Sequence, residues 1–270
     1  YIFRGWYDVS DSSTCLSTDT TYEVSSVTAN LNLIAMFEQK AYTVSVVVKG
    51  KTSTASSTLT TGVGGTASVT TTQYSVNGNT GYFAGYKVTL SAAAATGYTF
   101  DAFYTTEACS SSSKLSGNEF TTVNANSTVY AKFIINQYTV SAVSRYQSAT
   151  SATGLGALTT GTTGGTVSGG GSYDYNASVT LKATAKTGYR FVGWFNNEEC
   201  TGTASSTSAS FTFKATSNVT YYAKFVQSQV TVSVGAKYRT ANGINSLGNL
   251  TVGTTGGTVS ATSVSTIYYG

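Results

Sequence analysis

The stretch Gly188–Cys200, which reads GYRFVGWFNNEEC, decides the fold because its aromatic pattern returns twice in the chain. It recurs as GYTFDAFYTTEAC at 97–109 and as YIFRGWYDVSDSSTC at 1–15. A chain with such internal copies is predicted to be a tandem array. The predicted core motif comprises three equivalent sets of aromatic residues: Tyr1, Phe3, Trp6 and Phe37; Tyr98, Phe100, Phe103 and Phe133; and Tyr189, Phe191, Trp194 and Phe225.

Matched landmarks set the length of one repeat at about 92–96 residues. The three cysteines are separated by 94 and 91 residues. The triplets AMF at 35–37, AKF at 131–133 and AKF at 223–225 recur after 96 and 92 residues. The predicted organisation is the back half of a module (1–39), two full modules (40–136 and 137–227) and the front half of another (228–270). The alanine of each triplet stands only seven positions before the first residue of the next YTVS-like strand, at Tyr42, Tyr138 and Val230. This spacing excludes a flexible linker and predicts an elongated rod.

Period-two alternation of apolar and polar residues indicates strands throughout. In ASVTLKATAK at 177–186 the valine, leucine and alanines fall on one face and the threonines and lysines on the other. YKVTLSAAA at 86–94 is its counterpart in the preceding module. The dipeptide Asn77-Gly78 favours a tight hairpin, since both turn residues need positive φ. The sequence therefore predicts an all-β or β-rich fold.

Composition argues against several function classes. The net charge of +4 is spread along the chain without a basic cluster, which gives no support to nucleic-acid binding. No apolar run approaches the ~18–20 residues of a membrane span. The chain has no histidine, and its eleven acidic residues are scattered. We therefore expect no enzyme activity, no catalytic or metal site and no cofactor.

The cysteines and tryptophans leave alternatives open. Cys15, Cys109 and Cys200 occur once per module, so they are either candidate inter-chain thiols or small buried apolar side chains. Trp6 and Trp194 could pack in the core or form a platform for sugar. Their fixed place in the motif favours packing.

The same residues carry a resemblance to a known family. The order GY-x-F-x-G-W, an acidic cluster before Cys, and then Asn-x-Thr-x-Tyr-Ala-Lys-Phe resembles the Listeria–Bacteroides repeat, the B-repeat of internalin-type bacterial surface proteins. The best match is 188–225; Phe103 replaces the tryptophan in one copy and Met36 replaces the lysine in another. The resemblance implies an exported bacterial module with a β-grasp-like or related β-rich fold.

The expected function is structural. We predict a non-enzymatic, extracellular repeat protein at the bacterial cell surface that forms a fibre or filament. Its expected partners are other copies of the same chain, with surface glycans as further candidates. The half modules at 1–39 and 228–270 are complementary, which suggests that copies join head to tail. The alternatives are a glycan- or host-binding adhesin segment and a passive spacer stalk.

Overall fold

The structure, a computed structural model, describes residues 1–151, 154–231, 237–243, 246–247, 249–253 and 267–269. Apart from one 3-10 turn at Ser111–Ser113, every regular element in these ranges is a β-strand. The prediction of an all-β fold is therefore confirmed. The chain separates into two compact units, Tyr1–Asn136 and Gln137–Gly270.

The first unit contains twelve strands: β1 (Ile2–Asp8), β2 (Asp11–Ser17), β3 (Leu33–Glu38), β4 (Val44–Gly50), β5 (Thr60–Thr61), β6 (Gly65–Val69), β7 (Tyr74–Val76), β8 (Asn79–Gly81), β9 (Lys87–Ala94), β10 (Tyr98–Tyr104), β11 (Glu119–Thr121) and β12 (Ser127–Ile135). We call residues 1–39 the head segment and residues 40–136 the first module.

The second unit contains the remaining described strands: β13 (Gln137–Gln147), β14 (Thr159–Thr160), β15 (Gly165–Ser168), β16 (Gly171–Asp174), β17 (Ser178–Ala185), β18 (Tyr189–Phe195), β19 (Ser210–Lys214), β20 (Val219–Gln227), β21 (Gln229–Val230), β22 (Lys237–Tyr238), β23 (Ala241–Gly243), β24 (Ser246–Leu247), β25 (Thr251–Val252) and β26 (Ile267–Tyr268). We call residues 137–227 the second module and residues 228–270 the tail segment.

The first module is built on two main sheets, and β7 and β8 form a separate hairpin. The larger has the order β10-β12-β4-β5, and its central strands β4 and β12 run parallel, with Val44 opposite Ser127 and Gly50 opposite Phe133. The smaller has the order β11-β9-β6. Inward-facing residues of both sheets form one core, because alternate residues of a strand point to the same face. Its most buried members are Val88, Leu90, Phe103, Val129, Ala131 and Phe133.

The second module repeats this plan. Its larger sheet has the order β14-β13-β20-β18, with β16 also paired to β13, and its smaller sheet is β15-β17-β19. Strands β13 and β20 run parallel, with Val140 opposite Val219. The core again draws on both sheets, and its fully buried side chains include Val179, Leu181, Trp194 and Phe225.

The head segment is a single three-stranded sheet with the order β2-β1-β3. Strands β1 and β3 correspond to β10 and β12 of the first module, whereas β2 pairs with the opposite edge of β1. Within the described residues, the second edge of β3 is unpaired, although the equivalent edges of β12 and β20 pair with β4 and β13. Among the described residues, the head segment therefore has neither a parallel neighbour for β3 nor a second sheet.

The Asn77-Gly78 hairpin occurs as predicted. These two residues connect β7 and β8, and their φ angles are 49° and 77°. The left-handed backbone matches the strand twist of a two-residue hairpin, which confirms the prediction made from the dipeptide. The tail segment contains three short described pairs, β21 with β26, β22 with β25 and β23 with β24. Part of the predicted front half, including GGTVS at 256–260, lies outside the described residues.

Candidate functional site: the repeated aromatic motif and its neighbours

The aromatic motif adopts one geometry in all three copies. The ring centroids of Phe3 and Trp6 are 5.8 Å apart, those of Phe100 and Phe103 4.9 Å, and those of Phe191 and Trp194 5.8 Å. The first phenylalanine of each copy also meets the triplet phenylalanine, at 5.4 Å for Phe37, 5.4 Å for Phe133 and 5.6 Å for Phe225. A register shift follows that first phenylalanine each time. The bulge turns the following aromatic residue toward the same face.

Burial of the motif differs between the modules and the head segment. Phe103, Phe133, Trp194 and Phe225 are at most 2% exposed, and Tyr98, Phe100, Tyr189 and Phe191 pack against the same cores. In the head segment Phe3 and Trp6 are half-buried. Tyr1 is 83% exposed and Phe37 is 59% exposed, which corrects the expectation that they are core residues. Their exposure has a direct cause, because in the part of the chain that the structure describes no second sheet covers them.

A pair of adjacent glycines packs against the phenylalanine of the triplet in each module: Gly64-Gly65 against Phe133, and Gly164-Gly165 against Phe225. A Cβ placed on Gly64 would lie 2.4 Å from Cβ of Phe133, and one on Gly164 would lie 2.8 Å from Cβ of Phe225. Any larger residue would overlap the ring-bearing carbon, so the close approach requires glycine. The head segment has no glycine pair against Phe37 in the described residues, consistent with its exposure.

Each module also has an ion pair that sequence reasoning missed. Nζ of Lys49 lies 2.5 Å from Oε1 of Glu107, and Arg145 makes the equivalent pair with Glu198. The cations hold equivalent positions of the first strand, and the acids stand two residues before each cysteine. That shared position is the signal that could have identified the pair. Residues 58 and 53 positions apart in sequence are thereby joined across the module.

The cysteines lie in two kinds of environment. Cys109 and Cys200 are buried and have φ angles of 47° and 48°, whereas Cys15 is exposed on β2. Burial raises the pKa of the Cys109 and Cys200 thiols above the usual value, with nearby lysine or arginine partly opposing the shift. All three are free thiols in the structure. Of the three thiols, only that of Cys15 is exposed.

An asparagine of the family-like motif has the same structural role in both modules. Oδ1 of Asn126 accepts the backbone N–H of Thr43 at 3.0 Å, and Oδ1 of Asn218 accepts that of Thr139 at 2.8 Å. Both bonds tie the turn before the last strand to the start of the first strand. Asn30 holds the same position before the head-segment triplet and is exposed.

Glu38 connects the head segment to the first module. Its carboxylate accepts hydrogen bonds from Nε of Arg4 at 2.5 Å, from the Tyr74 hydroxyl at 2.8 Å and from Nδ2 of Asn79 at 2.7 Å. The Arg4, Asn79 and Tyr74 donors together lower the pKa of Glu38 to about 2. Asn79 also accepts the backbone N–H of Ala41. The β7–β8 hairpin therefore holds residues 38–41, where the head segment meets the first module, through hydrogen bonds of Tyr74 and Asn79.

Among the described residues, no three histidine, cysteine, aspartate or glutamate side chains lie close enough to hold a metal ion. The described ranges also contain no helix with the length and hydrophobicity of a membrane span. The repeated arrangement of rings, glycines and ion pairs serves packing.

Comparison with known proteins gives a family. A model described as the divergent InlB B-repeat domain matches residues 56–137 and 157–229. A comparison with curated proteins finds no match. The two matched ranges include most of each two-sheet module and together cover more than half of the chain. The chain therefore belongs to the divergent InlB B-repeat domain family, which consists of bacterial surface-type repeat modules.

Proposed function

We propose that this chain is a non-enzymatic structural segment of a bacterial cell-surface fibre, located outside the cell. The observation that carries the proposal is the parallel pairing of the first and last strands in each module. Val44 and Ser127 begin β4 and β12 opposite each other, and Val140, near the start of β13, lies opposite Val219, which begins β20. Parallel neighbours start at one end of a sheet and finish at the other. The chain thus enters a module at one end of its larger sheet and leaves at the other, which suits a protein that spans distance.

Self-association is the second part of the proposal. The unpaired edge of β3 and the exposed ring of Phe37 form a surface that a strand could extend, since unpaired edges are templates for pairing. In the modules this position belongs to a YTVS-like strand, and the sequence VTVS at 230–233 repeats that strand opening. The tail segment of a second copy is therefore the proposed occupant, which gives head-to-tail growth.

Sedimentation velocity over a range of concentrations, with electron microscopy of the same samples, tests this assembly. We expect species that grow with concentration and appear as filaments. Phe37→Asp should abolish growth by placing a charge on the surface, whereas Val27→Asp, at a position 67% exposed and outside the strands, should not. A monomer at all concentrations would remove self-assembly and leave the spacer-stalk alternative.

A further inference from the structure

A cavity of about 290 Å³ opens beside the β7–β8 hairpin of the first module. Aromatic rings and neutral polar groups make up its lining, and no charged side chain takes part. The lining residues are Thr72, Gln73, Tyr74, Gly81, Tyr82, Phe83 and Tyr86. Four rings around one opening differ from the single exposed apolar residues that are normal on protein surfaces.

All four rings are held in place, and three of them remain accessible, since only Tyr82 is buried. The rings of Tyr74 and Phe83 pack at 4.8 Å between centroids, and those of Tyr82 and Tyr86 are within 15° of parallel at 6.5 Å. The Tyr82 hydroxyl donates to the backbone oxygen of Thr71 at 2.6 Å, which fixes that ring. Tyr86 is nevertheless 53% exposed, while Tyr74 and Phe83 are half-buried. The site is therefore preorganised, and a ligand would not have to order it.

The second module shows that the fold does not need the rings of Phe83 and Tyr86. Both modules contain the same turn, in which the Tyr86 N–H donates to the Phe83 oxygen at 3.1 Å and the Ala177 N–H donates to the Asp174 oxygen at 3.0 Å. Phe83 and Tyr86 thus correspond to Asp174 and Ala177. The second module also has no counterpart of the β7–β8 hairpin among its described strands. Tyr82 belongs to the core, as its counterpart Tyr173 packs against the core of the second module, but the shared fold does not account for the rings of Phe83 and Tyr86.

We propose that this cavity is a subsite for an uncharged sugar residue of a glycan. A pyranose ring offers an apolar C–H face, which packs against aromatic rings, and hydroxyl groups, which the Gln73 amide and the Thr72 hydroxyl can bind. A charged ligand would lose water without gaining an opposite charge from the lining. The inference goes beyond the structural role proposed above and does not depend on filament formation.

The test is an NMR titration of the 270-residue chain carrying ¹³C-labelled tyrosine and phenylalanine rings. The probes are methyl α-mannopyranoside, methyl β-galactopyranoside and N-acetylglucosamine at up to about 50 mM, above a millimolar dissociation constant. At least one probe should give saturable shifts of the Phe83 and Tyr86 ring signals. If none shifts these signals, the proposal is overturned.

The second module supplies a matched variant. Phe83→Asp combined with Tyr86→Ala installs the residues that the same turn carries there, so the first module should fold and lose the saturable shifts of the remaining rings. Tyr175→Ala, which removes a half-buried ring in the second module that contacts Tyr138, should leave the shifts unchanged. Shifts that persist in the double variant would place binding elsewhere and overturn the proposal. Because assembly is measured separately by sedimentation, its failure would not affect this result.

Discussion

Gly65 lies directly against the ring of Phe133. A Cβ on Gly65 would stand 2.7 Å from Cε1 of Phe133 and 2.3 Å from the carbonyl oxygen of Ala93. In the second module a Cβ on Gly165 would stand 2.5 Å from Cε1 of Phe225. The same contact therefore brings the smaller sheet onto the core of both modules.

Gly65→Ala should lower the free energy of unfolding by about 1–3 kcal/mol, because the added methyl group overpacks a core that includes backbone atoms. Gly117→Ala is the control in the same module, since a Cβ there meets no atom within 4 Å. We expect its effect to stay within about 0.5 kcal/mol. Urea unfolding measures both, and equal effects would contradict the role given to the Gly65–Phe133 contact.

Thiol reactivity should separate the cysteines. In the native protein only Cys15 should react quickly with a maleimide, because Cys109 and Cys200 are buried and burial raises their thiol pKa values, which lowers the thiolate fraction. All three should react in urea. Mass spectrometry of the labelled protein counts the modified sites, and Cys15→Ser should remove the fast reaction. Fast labelling of Cys200 in the native protein would contradict its burial in the second module.

The Lys49–Glu107 pair should couple more strongly than a surface pair. The Lys49 side chain is 7% exposed, whereas both members of the Lys87–Glu119 pair are more than half exposed. A double-mutant cycle with Lys49→Met and Glu107→Gln should give a coupling energy of about 1 kcal/mol. The matched cycle with Lys87→Met and Glu119→Gln should give less than about 0.5 kcal/mol. A larger coupling energy for Lys87–Glu119 than for Lys49–Glu107 would contradict this prediction.

Glu38 should make the stability of the first unit depend on pH. Its folded pKa of about 2 lies below the ordinary value of 4.5, so its contribution is present above about pH 4.5 and is lost as pH falls toward 2. Glu38→Gln should lower the thermal midpoint at pH 7 and narrow its difference from the parent protein as the pH approaches 2. Glu119→Gln, on the surface, serves as the control. A constant difference between parent and Glu38→Gln across this range would contradict the role of the charge.

The sequence predicted the repeated part of the fold well. Motif spacing located the aromatic residues that pack together in all three copies, since ring packing requires the same local strand and bulge. Asn77-Gly78 predicted its hairpin because asparagine and glycine adopt positive φ more readily than other residues. Such features depend on neighbours within a few positions.

Features that depend on distant residues were not predicted. The Lys49–Glu107 pair and the Asn126 amide bond to Thr43 form only after the first and last strands align. Exposure of Phe37 depends on whether a second sheet lies over it, which the motif does not encode. The domain boundaries at 39/40, 136/137 and 227/228 and the rod-like arrangement remain predictions.

The central parallel pairs have a mechanical consequence. Tension along the chain would draw the beginning of β4 and the end of β12 in opposite directions, parallel to the strands. The pairs from Val44–Ser127 to Gly50–Phe133 would then bear the load in shear, all together, instead of unzipping one after another. The pairs from Val140–Val219 to Gln147–Val226 place the second module under the same geometry. A protein built this way would resist stretching through its backbone ladders, without any covalent cross-link.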